Sequence, residues 1–207
     1  MKGIDVSYHN GDIDWQAVKN AGMDFAICRT GYGRSGIDET FQQNVECAHR
    51  AGLIVGAYHF SYALTQSDAV NEALFCKKII EDSGVFLELP VFFDMEEDDD
   101  TKYKLKHGFK FEKKHVTNLC NAFLENIGLN AGIYASYSWL EDLIDWKYLH
   151  EKYKCPIWNA QYSNNDYLQG YMWQFTDSYK INGKIFDANI IYDDKHKAGL
   201  NPWNSLI

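Results

Sequence analysis

The stretch IIEDSGVFLELPVFFDME, residues 79–96, contains a helix end, a buried strand and two acids in direct succession. Gly84 lies where a helix favours a left-handed C-terminal cap. Residues 91–93 are continuously apolar, which is typical of a strand covered on both faces in a parallel α/β sheet. Asp94 and Glu96 follow at the carboxyl end of this strand. The stretch therefore predicts one repeat of an α/β fold with polar groups at the strand end.

The same order of helix, glycine and strand recurs along the chain, at 17–30, 46–60 and 123–136. Helix-length segments separate the first five predicted strands, whereas the last three follow one another closely. The eight predicted strands are 3–7, 25–30, 54–60, 90–96, 131–136, 156–162, 171–175 and 184–190. This arrangement predicts an α/β fold, a modified (β/α) barrel. A doubly wound open sheet stays an alternative, but no G-x-G-x-x-G follows the first strand.

Composition limits the class of protein. The chain has 207 residues, of which 46% are hydrophobic and 15% aromatic, enough for one substantial domain. Its net charge of −9 argues against a nucleic-acid partner. The densest basic stretch, 102–115, is interpreted as a solvated loop and helix start, with a patch facing a polyanion as the alternative. No apolar run reaches membrane-spanning length, so we expect no membrane insertion.

The cysteines and the N-terminus bear on location. The five cysteines are odd in number and scattered, without C-x-x-C spacing, which predicts reduced thiols and no zinc site. The start MKGIDVS does not have the pattern of a signal peptide. We therefore expect synthesis in the cytoplasm. We also expect no cofactor, and a monomer or weak dimer.

Polar residues occupy nearly every predicted strand end, which is where α/β barrels carry their working groups. Buried polar groups need partners, so a purely structural barrel has no use for such a set. In chain order the set is Asp5, Arg29, Thr30, Tyr58, His59, Asp94, Glu96, Tyr134, Asn159, Gln161, Gln174, Asp187 and Asn189.

Asp94 and Glu96 are the strongest candidates for catalytic residues in this set. At i and i+2 of a strand they are expected to point to the same side. Two carboxyls in one cleft push their pKa values apart, leaving one as proton donor and one charged, as glycosidic bond cleavage requires. The further acids at 97–100 are interpreted as a solvated loop, with cation binding as the alternative.

Aromatic residues accumulate near the same strand ends, and aromatic faces suit sugar rings. They are Tyr32, Tyr58, Tyr62, Tyr134, Tyr137, Trp158 and Trp173. The histidines show no metal-ligand spacing, and neither a G-x-S-x-G elbow nor a placed Cys/His pair is present.

Seven segments in order resemble the lysozymes of glycoside hydrolase family 25, the Chalaropsis-type N-acetylmuramidases. The similarity covers residues 2–192 through KGIDVSYHNGDIDW, GAYHF, FFDMEE, AGIYAS, PIWNAQY, YMWQF and FDANI. The resemblance implies a barrel of five βα units followed by three strands. It also implies cleavage of the β-1,4 bond from N-acetylmuramic acid to N-acetylglucosamine in bacterial peptidoglycan.

The resemblance also implies roles for particular residues. The family's D-x-E motif falls on Asp94 and Glu96, with Glu96 as the general acid. Its other two aspartates fall on Asp5 and Asp187. Further substrate contacts are expected from Tyr58, Tyr134, Trp158, Gln174, Arg29, Tyr32 and Asn189. The segment Tyr8-His9-Asn10 and the long acidic run after Glu96 depart from the family pattern.

Several alternatives stay open at this point. The attacking group is the substrate's acetamido oxygen, a carboxylate or water. Rival functions are an inactive sugar-binding barrel and a metal-dependent wall amidase. The expected domain organisation is a catalytic barrel over 1–192 and a C-terminal tail over 193–207, in an enzyme that acts on the wall after release.

Overall fold

The computed structural model describes residues 1–98 and 101–192. Its strands are β1 Lys2–Val6, β2 Phe25–Tyr32, β3 Gly36–Ile37, β4 Ile54–Phe60, β5 Val91–Asp94, β6 Ala131–Ser136, β7 Ile157–Ala160, β8 Met172–Ile181 and β9 Lys184–Ile191. Its α-helices are α1 Trp15–Asn20, α2 Phe41–Arg50, α3 Gln66–Ser83, α4 Tyr103–Lys106, α5 Lys113–Ile127, α6 Tyr137–Asp142 and α7 Trp146–Tyr153. A 3-10 turn spans Tyr8–Asn10. The tail expected at 193–207 lies outside the described residues.

The strands close into a barrel. Neighbours follow the order β1-β9-β8-β7-β6-β5-β4-β2, and the β1–β2 pairing joins the two ends. Pairing is parallel along the path from β1 through β2, β4, β5, β6 and β7 to β8. Strand β9 runs antiparallel to both of its neighbours, β8 and β1. Helices follow β1, β2, β4, β5 and β6 in the chain, and none separates β7, β8 and β9. The prediction of five βα units followed by three strands is confirmed.

Local sequence explains where the helices begin and end. The Asp14 carboxylate accepts a hydrogen bond from the backbone N–H of Ala17 at 2.9 Å and so caps α1. Gly84 and Gly128 end α3 and α5 with φ of 65° and 64°, a left-handed conformation that glycine adopts without strain. The glycine helix ends are the predicted ones, and they let each strand start within a few residues of the preceding helix.

Alternation along the strands separates two apolar layers. Outward residues such as Phe93 pack against the helices, and the Phe93 ring stacks on Phe123 of α5 at 4.1 Å. Inward residues form a smaller cluster that fills the lower barrel, comprising Phe25, Ile27, Leu89, Phe92, Tyr134, Trp158, Tyr171, Met172 and Ile191. The core thus lies on both faces of the sheet, as the continuous apolar runs predict.

Three details differ from the sequence prediction. Strand β5 ends at Asp94, so Glu96 lies just beyond the strand rather than within it. A short hairpin strand, β3, pairs antiparallel with the end of β2 and was not predicted. The basic stretch at 102–115 is not simply a solvated loop, because Lys104 is fully buried.

Among the described helices, none is long and apolar enough to cross a membrane.

Candidate active site

The inward positions at the upper ends of the strands bring the site together. Because successive side chains point to opposite faces of a strand, Asp5 points into the barrel like Gly3, two residues earlier. Asp94 points inward for the same reason, like Phe92. The same alternation places five further side chains toward the barrel axis: Arg29, Tyr58, Tyr134, Gln174 and Asp187. Residues distant in sequence therefore meet above the apolar cluster that fills the barrel.

Asp5 lies at the centre of a hydrogen-bond network on one wall of the site. Its Oδ2 accepts from Gln174 Nε2 at 3.0 Å and from Asn189 Nδ2 at 2.7 Å. It also shares a side-chain hydrogen bond with Asp187, its register partner on β9. These bonds oppose the effect of burial, which raises the pKa of Asp5. Asp5 is thus the better acceptor of the two aspartates.

Asp187 is the donor in this pair. Burial, and then the charges of Asp5 and Asp177, raise its pKa from 3.8 to about 8. A carboxyl with this pKa keeps its proton at neutral pH and can donate it to the ionised Asp5. This wall of the site therefore carries about one negative charge rather than two.

Asp94 and Glu96 form the opposite wall. Asp94 is only 4% exposed, and its Oδ1 finds no hydrogen-bond partner in the described ranges. Burial, followed by the Glu96 charge, raises the pKa of Asp94 well above its usual range, while Lys104 lowers it. In the free site this rise favours the protonated form of Asp94, which differs from the charged Asp94 that was expected. The role of Glu96 as proton donor stays a prediction.

Two tyrosines flank the carboxyl groups. Tyr58 and Tyr134 both line the central cavity, and burial raises the pKa of each well above its usual range, so both hydroxyls are protonated donors. The Tyr134 hydroxyl donates to Gln174 Oε1 at 3.0 Å. Gln174 thereby connects Tyr134 to Asp5 across the barrel.

Arg29 provides the positive charge at the mouth of the site. Its Nε donates to Asp38 Oδ2 at 2.9 Å, and its guanidinium lies 4.8 Å from the Tyr8 ring and 5.6 Å from the Tyr32 ring. The side chain is 9% exposed, and its second terminal nitrogen (NH2) has no hydrogen-bond partner among the residues that the structure describes. A buried N–H group beside a cavity is suited to a ligand carbonyl or hydroxyl oxygen.

Two connected cavities make up the cleft. The central one, about 280 Å³, is lined by the carboxyl groups of both walls and by Tyr58, Tyr134, Trp158 and Gln174. The outer one, about 470 Å³, shares Arg29, Phe60, His9 and Glu96 with it and extends past Tyr8, Tyr32, Tyr62, Glu97 and Asp98. The cleft therefore leads from a deep acidic centre to an aromatic outer section.

Some expected site residues lie away from the centre of the cleft. Asn189 is fully buried one layer below Asp187 and does not line the central cavity, so it supports Asp5 instead of meeting a ligand. The Trp158 indole N–H donates to Asn189 Oδ1 at 2.9 Å, and only part of this buried ring borders the cavity. Tyr32 lines the outer cavity rather than the centre. His59 points out of the barrel, and burial lowers its pKa to about 4.

Other residues near the site were not predicted. Asp38 accepts a hydrogen bond from Arg29. The sequence did not indicate this contact, because it depends on a hairpin that was not predicted. Glu97 and Asp98 line the outer cavity, and Asp98 accepts from the Tyr62 hydroxyl at 3.3 Å, so they do not form a purely solvated loop. Residues 99–100 of that acidic run lie outside the described residues. Within the described ranges, no group of three or more His, Cys, Asp or Glu side chains could hold a metal ion.

The chain is similar to known proteins in both sequence and fold. The sequence model of Glycosyl hydrolases family 25 matches residues 4–184. Lysozyme M1 of Streptomyces globisporus is 46% identical over 61 residues, which is 30% of this chain and 21% of that protein. The autolytic lysozyme of Clostridium acetobutylicum is 28% identical over 193 residues, covering 92% of this chain and 55% of its own length. The chain thus spans about half the length of the second relative.

Solved structures agree with the sequence match. The CTP1L endolysin superposes with a TM-score of 0.79 and 25% identity, covering 95% of this chain and 68% of that one. Carboxyl groups on facing walls of a cleft are compatible with the cleavage of glycosidic bonds. The chain belongs to glycosyl hydrolases family 25.

Proposed function

We propose that this chain is a muramidase that cleaves the β-1,4 bond between N-acetylmuramic acid and N-acetylglucosamine in bacterial peptidoglycan. Family membership and the names of its relatives support this, since two are lysozymes and one is an endolysin. The observation that carries the proposal is that Asp94 and Glu96 line one cavity across from the hydrogen-bonded Asp5 and Asp187. The place of action is the bacterial cell wall.

Glu96 acts as the general acid in the proposed mechanism. It transfers its proton to the glycosidic oxygen as the bond to the anomeric carbon breaks, so that the leaving sugar departs as an alcohol. Glu96 suits this role because it is less buried than Asp94 and borders both cavities, where the two sugars on either side of the bond would lie.

Asp94 responds to the charge that develops in the reaction. In the free site burial raises the pKa of Asp94, so the pair as a whole binds a proton readily. A positive charge growing at the anomeric carbon favours the ionised form of Asp94, which leaves the shared proton on Glu96. The ionised Asp94 then stabilises that charge or orients the acetamido group of the substrate.

Asp5 and Asp187 support the sugar from the other wall. Asp187, with a pKa of about 8, carries a proton that it donates to Asp5 in the free site and can offer to a substrate oxygen instead. Tyr58 and Tyr134 add hydroxyl donors at the same depth. The unpaired N–H of Arg29 provides a further donor in the outer cavity.

Mass analysis of fragments from purified peptidoglycan tests the proposal. We expect fragments with new reducing ends on N-acetylmuramic acid, and none from the Glu96→Gln variant. Reducing ends on N-acetylglucosamine, or released peptide amines, would contradict it. The anomeric configuration of the first product, followed by NMR, distinguishes retention, expected for acetamido or carboxylate attack, from inversion by water.

A further inference from the structure

Lys104 on α4 is an unusual residue for its position. It is 0% exposed, although lysine is among the residues that are least often fully buried. Its neighbours in sequence, Lys102 and Lys106, are exposed. The segment therefore turns one particular ammonium group inward, beneath the active site.

The Lys104 ammonium joins two strand ends. Its Nζ donates to the carbonyl oxygen of Ser61, just after β4, at 2.6 Å. It also donates to the backbone carbonyl oxygen of Glu96, just after β5. The Ser61 N–H in turn donates to the Asp94 carbonyl at 3.0 Å. The backbone that carries Asp94 and Glu96 is thus held from behind by one side chain.

A buried carboxyl group completes this network. Glu72 of α3 is 1% exposed and accepts from the Ser61 hydroxyl at 2.8 Å and from the Tyr62 N–H at 2.9 Å. Burial raises the pKa of Glu72 to about 7, and Lys104 opposes that rise. Ser61 therefore connects α3 and α4: its hydroxyl bonds to the Glu72 carboxyl group, and its carbonyl oxygen to the Lys104 ammonium group.

The charges around Lys104 come from several elements. Glu72 faces it from α3, Asp94 from β5, and Glu96 and Glu97 from the segment after β5. Asp94 itself faces Asp5 on β1 and Arg29 on β2, besides Glu96 and Lys104, and it acts on the hydroxyls of Tyr58 on β4 and Tyr134 on β6. Lys104 is a cation on the side of the acid pair away from the cavity, since it does not line that cavity.

We propose that Lys104 is a positioning residue for the reaction: its ammonium group fixes the backbone of Glu96 and supplies a positive charge behind the Asp94/Glu96 pair. The inference rests on the proposed muramidase function. A charge held in a low-dielectric interior acts more strongly on nearby carboxyls than one in water. Lys104 thus makes it easier for the pair to carry its working negative charge.

Lys104→Met removes the charge and the two hydrogen bonds while keeping a side chain of similar length. We expect kcat on soluble peptidoglycan fragments to fall about tenfold or more, with KM changed less than about twofold, because the residue does not touch the cleft. The acidic limb of the pH–kcat profile moves to higher pH by about half a unit or more, since loss of a cation raises the pKa of the pair. Lys106→Met, on the same helix but exposed, makes the same change in net charge and leaves both readouts unaltered.

Two further variants separate positioning from simple structural support. Lys104→Gln keeps a hydrogen-bond donor without charge, so the acidic limb should shift while the fall in kcat is smaller. In Lys104→Met/Glu72→Gln the charge of Glu72 is removed as well, and we expect the shifted limb to persist. Recovery of both the rate and the limb would mean that Lys104 only balances Glu72, and would overturn the proposal.

Other outcomes also decide against it. An unshifted acidic limb in Lys104→Met, or an equal shift in Lys106→Met, rejects the charge role. Loss of the folded state in both Lys104→Met and Lys104→Gln, measured by circular dichroism, would make the residue a structural one. Failure of the muramidase function itself is recognised separately, because the unaltered protein would then release no muramic reducing ends.

Discussion

Asp5 on β1 and Asp187 on β9 are register partners in adjacent antiparallel strands, and their side chains share one hydrogen bond. Gln174 and Asn189 also donate to Asp5, so Asp5 is the acceptor and Asp187 holds the proton. The negative charge of this wall therefore increases as pH rises through about 8. A strand that runs against its neighbours thus supplies the protonated member of the pair.

Asp187 should make stability depend on pH. Its pKa rises from 3.8 to about 8 on folding, so its contribution to stability is fully present below 3.8 and is lost as pH rises through about 8. Asp187→Asn keeps a donor toward Asp5 but cannot ionise. We expect the melting temperature of this variant to fall less than that of the unaltered protein between about pH 5 and about pH 9. Asp142→Asn, an exposed change on α6, is the control, and identical slopes for Asp187→Asn and the unaltered protein would contradict the assignment.

Glu96→Gln removes the proposed proton donor with little change in shape. We expect kcat to fall about 100-fold to 10,000-fold, the usual contribution of general acid catalysis, while binding of glycan fragments persists. Release of reducing ends and binding calorimetry measure the two effects. Glu125→Gln, exposed on α5, should be fully active. Retention of more than about a third of the activity by Glu96→Gln would rule out the role of Glu96.

Arg29→Lys keeps a positive charge but loses the planar group between Tyr8 and Tyr32 and its bond to Asp38. We expect KM for soluble fragments to rise about tenfold, with a smaller effect on kcat, because the unpaired N–H of Arg29 borders the outer cavity and is available to a bound sugar there. Arg34→Lys, at an exposed arginine that pairs with Asp68, is the matched control. Equal KM values for the two variants would remove Arg29 from the binding surface.

Ionic strength should affect the reaction on whole walls. The chain carries a net charge of −9, and anionic walls repel it over about 30 Å in 10 mM salt but only about 8 Å in 150 mM salt. We therefore expect the initial rate of turbidity loss to increase across this range. Neutral soluble fragments should show little increase, and an equal increase on them would point to an effect within the cleft.

Much of the barrel was predictable because each repeat carries its own local signals. Gly84 and Gly128 end helices, and runs such as 91–93 require cover on both faces. The acid pair was predictable for the same reason, since Asp94 and Glu96 follow directly from a buried strand. In these places the structure depends on residues that are neighbours in the chain.

Lys104 shows why other parts were not predictable. Its segment reads as a basic, exposed stretch, and its burial depends on carbonyl oxygens 43 and 8 residues away in sequence. Asp38 meets Arg29 only because the β2–β3 hairpin folds back. The raised pKa of Asp94 depends on how deeply its carboxyl group is buried, and this depth cannot be read from residue type and spacing.

The reversed direction of β9 has a consequence for how the barrel could be joined to other chains. The Met1 amine donates to the Ile191 carbonyl at 2.8 Å, and the Ile191 N–H donates to the Met1 carbonyl at 2.9 Å. Both ends of the barrel therefore emerge side by side at the floor, away from the substrate opening. A cargo fused at either position starts on the far side from the cleft, and a short linker between them would yield a circular permutant with its opening intact.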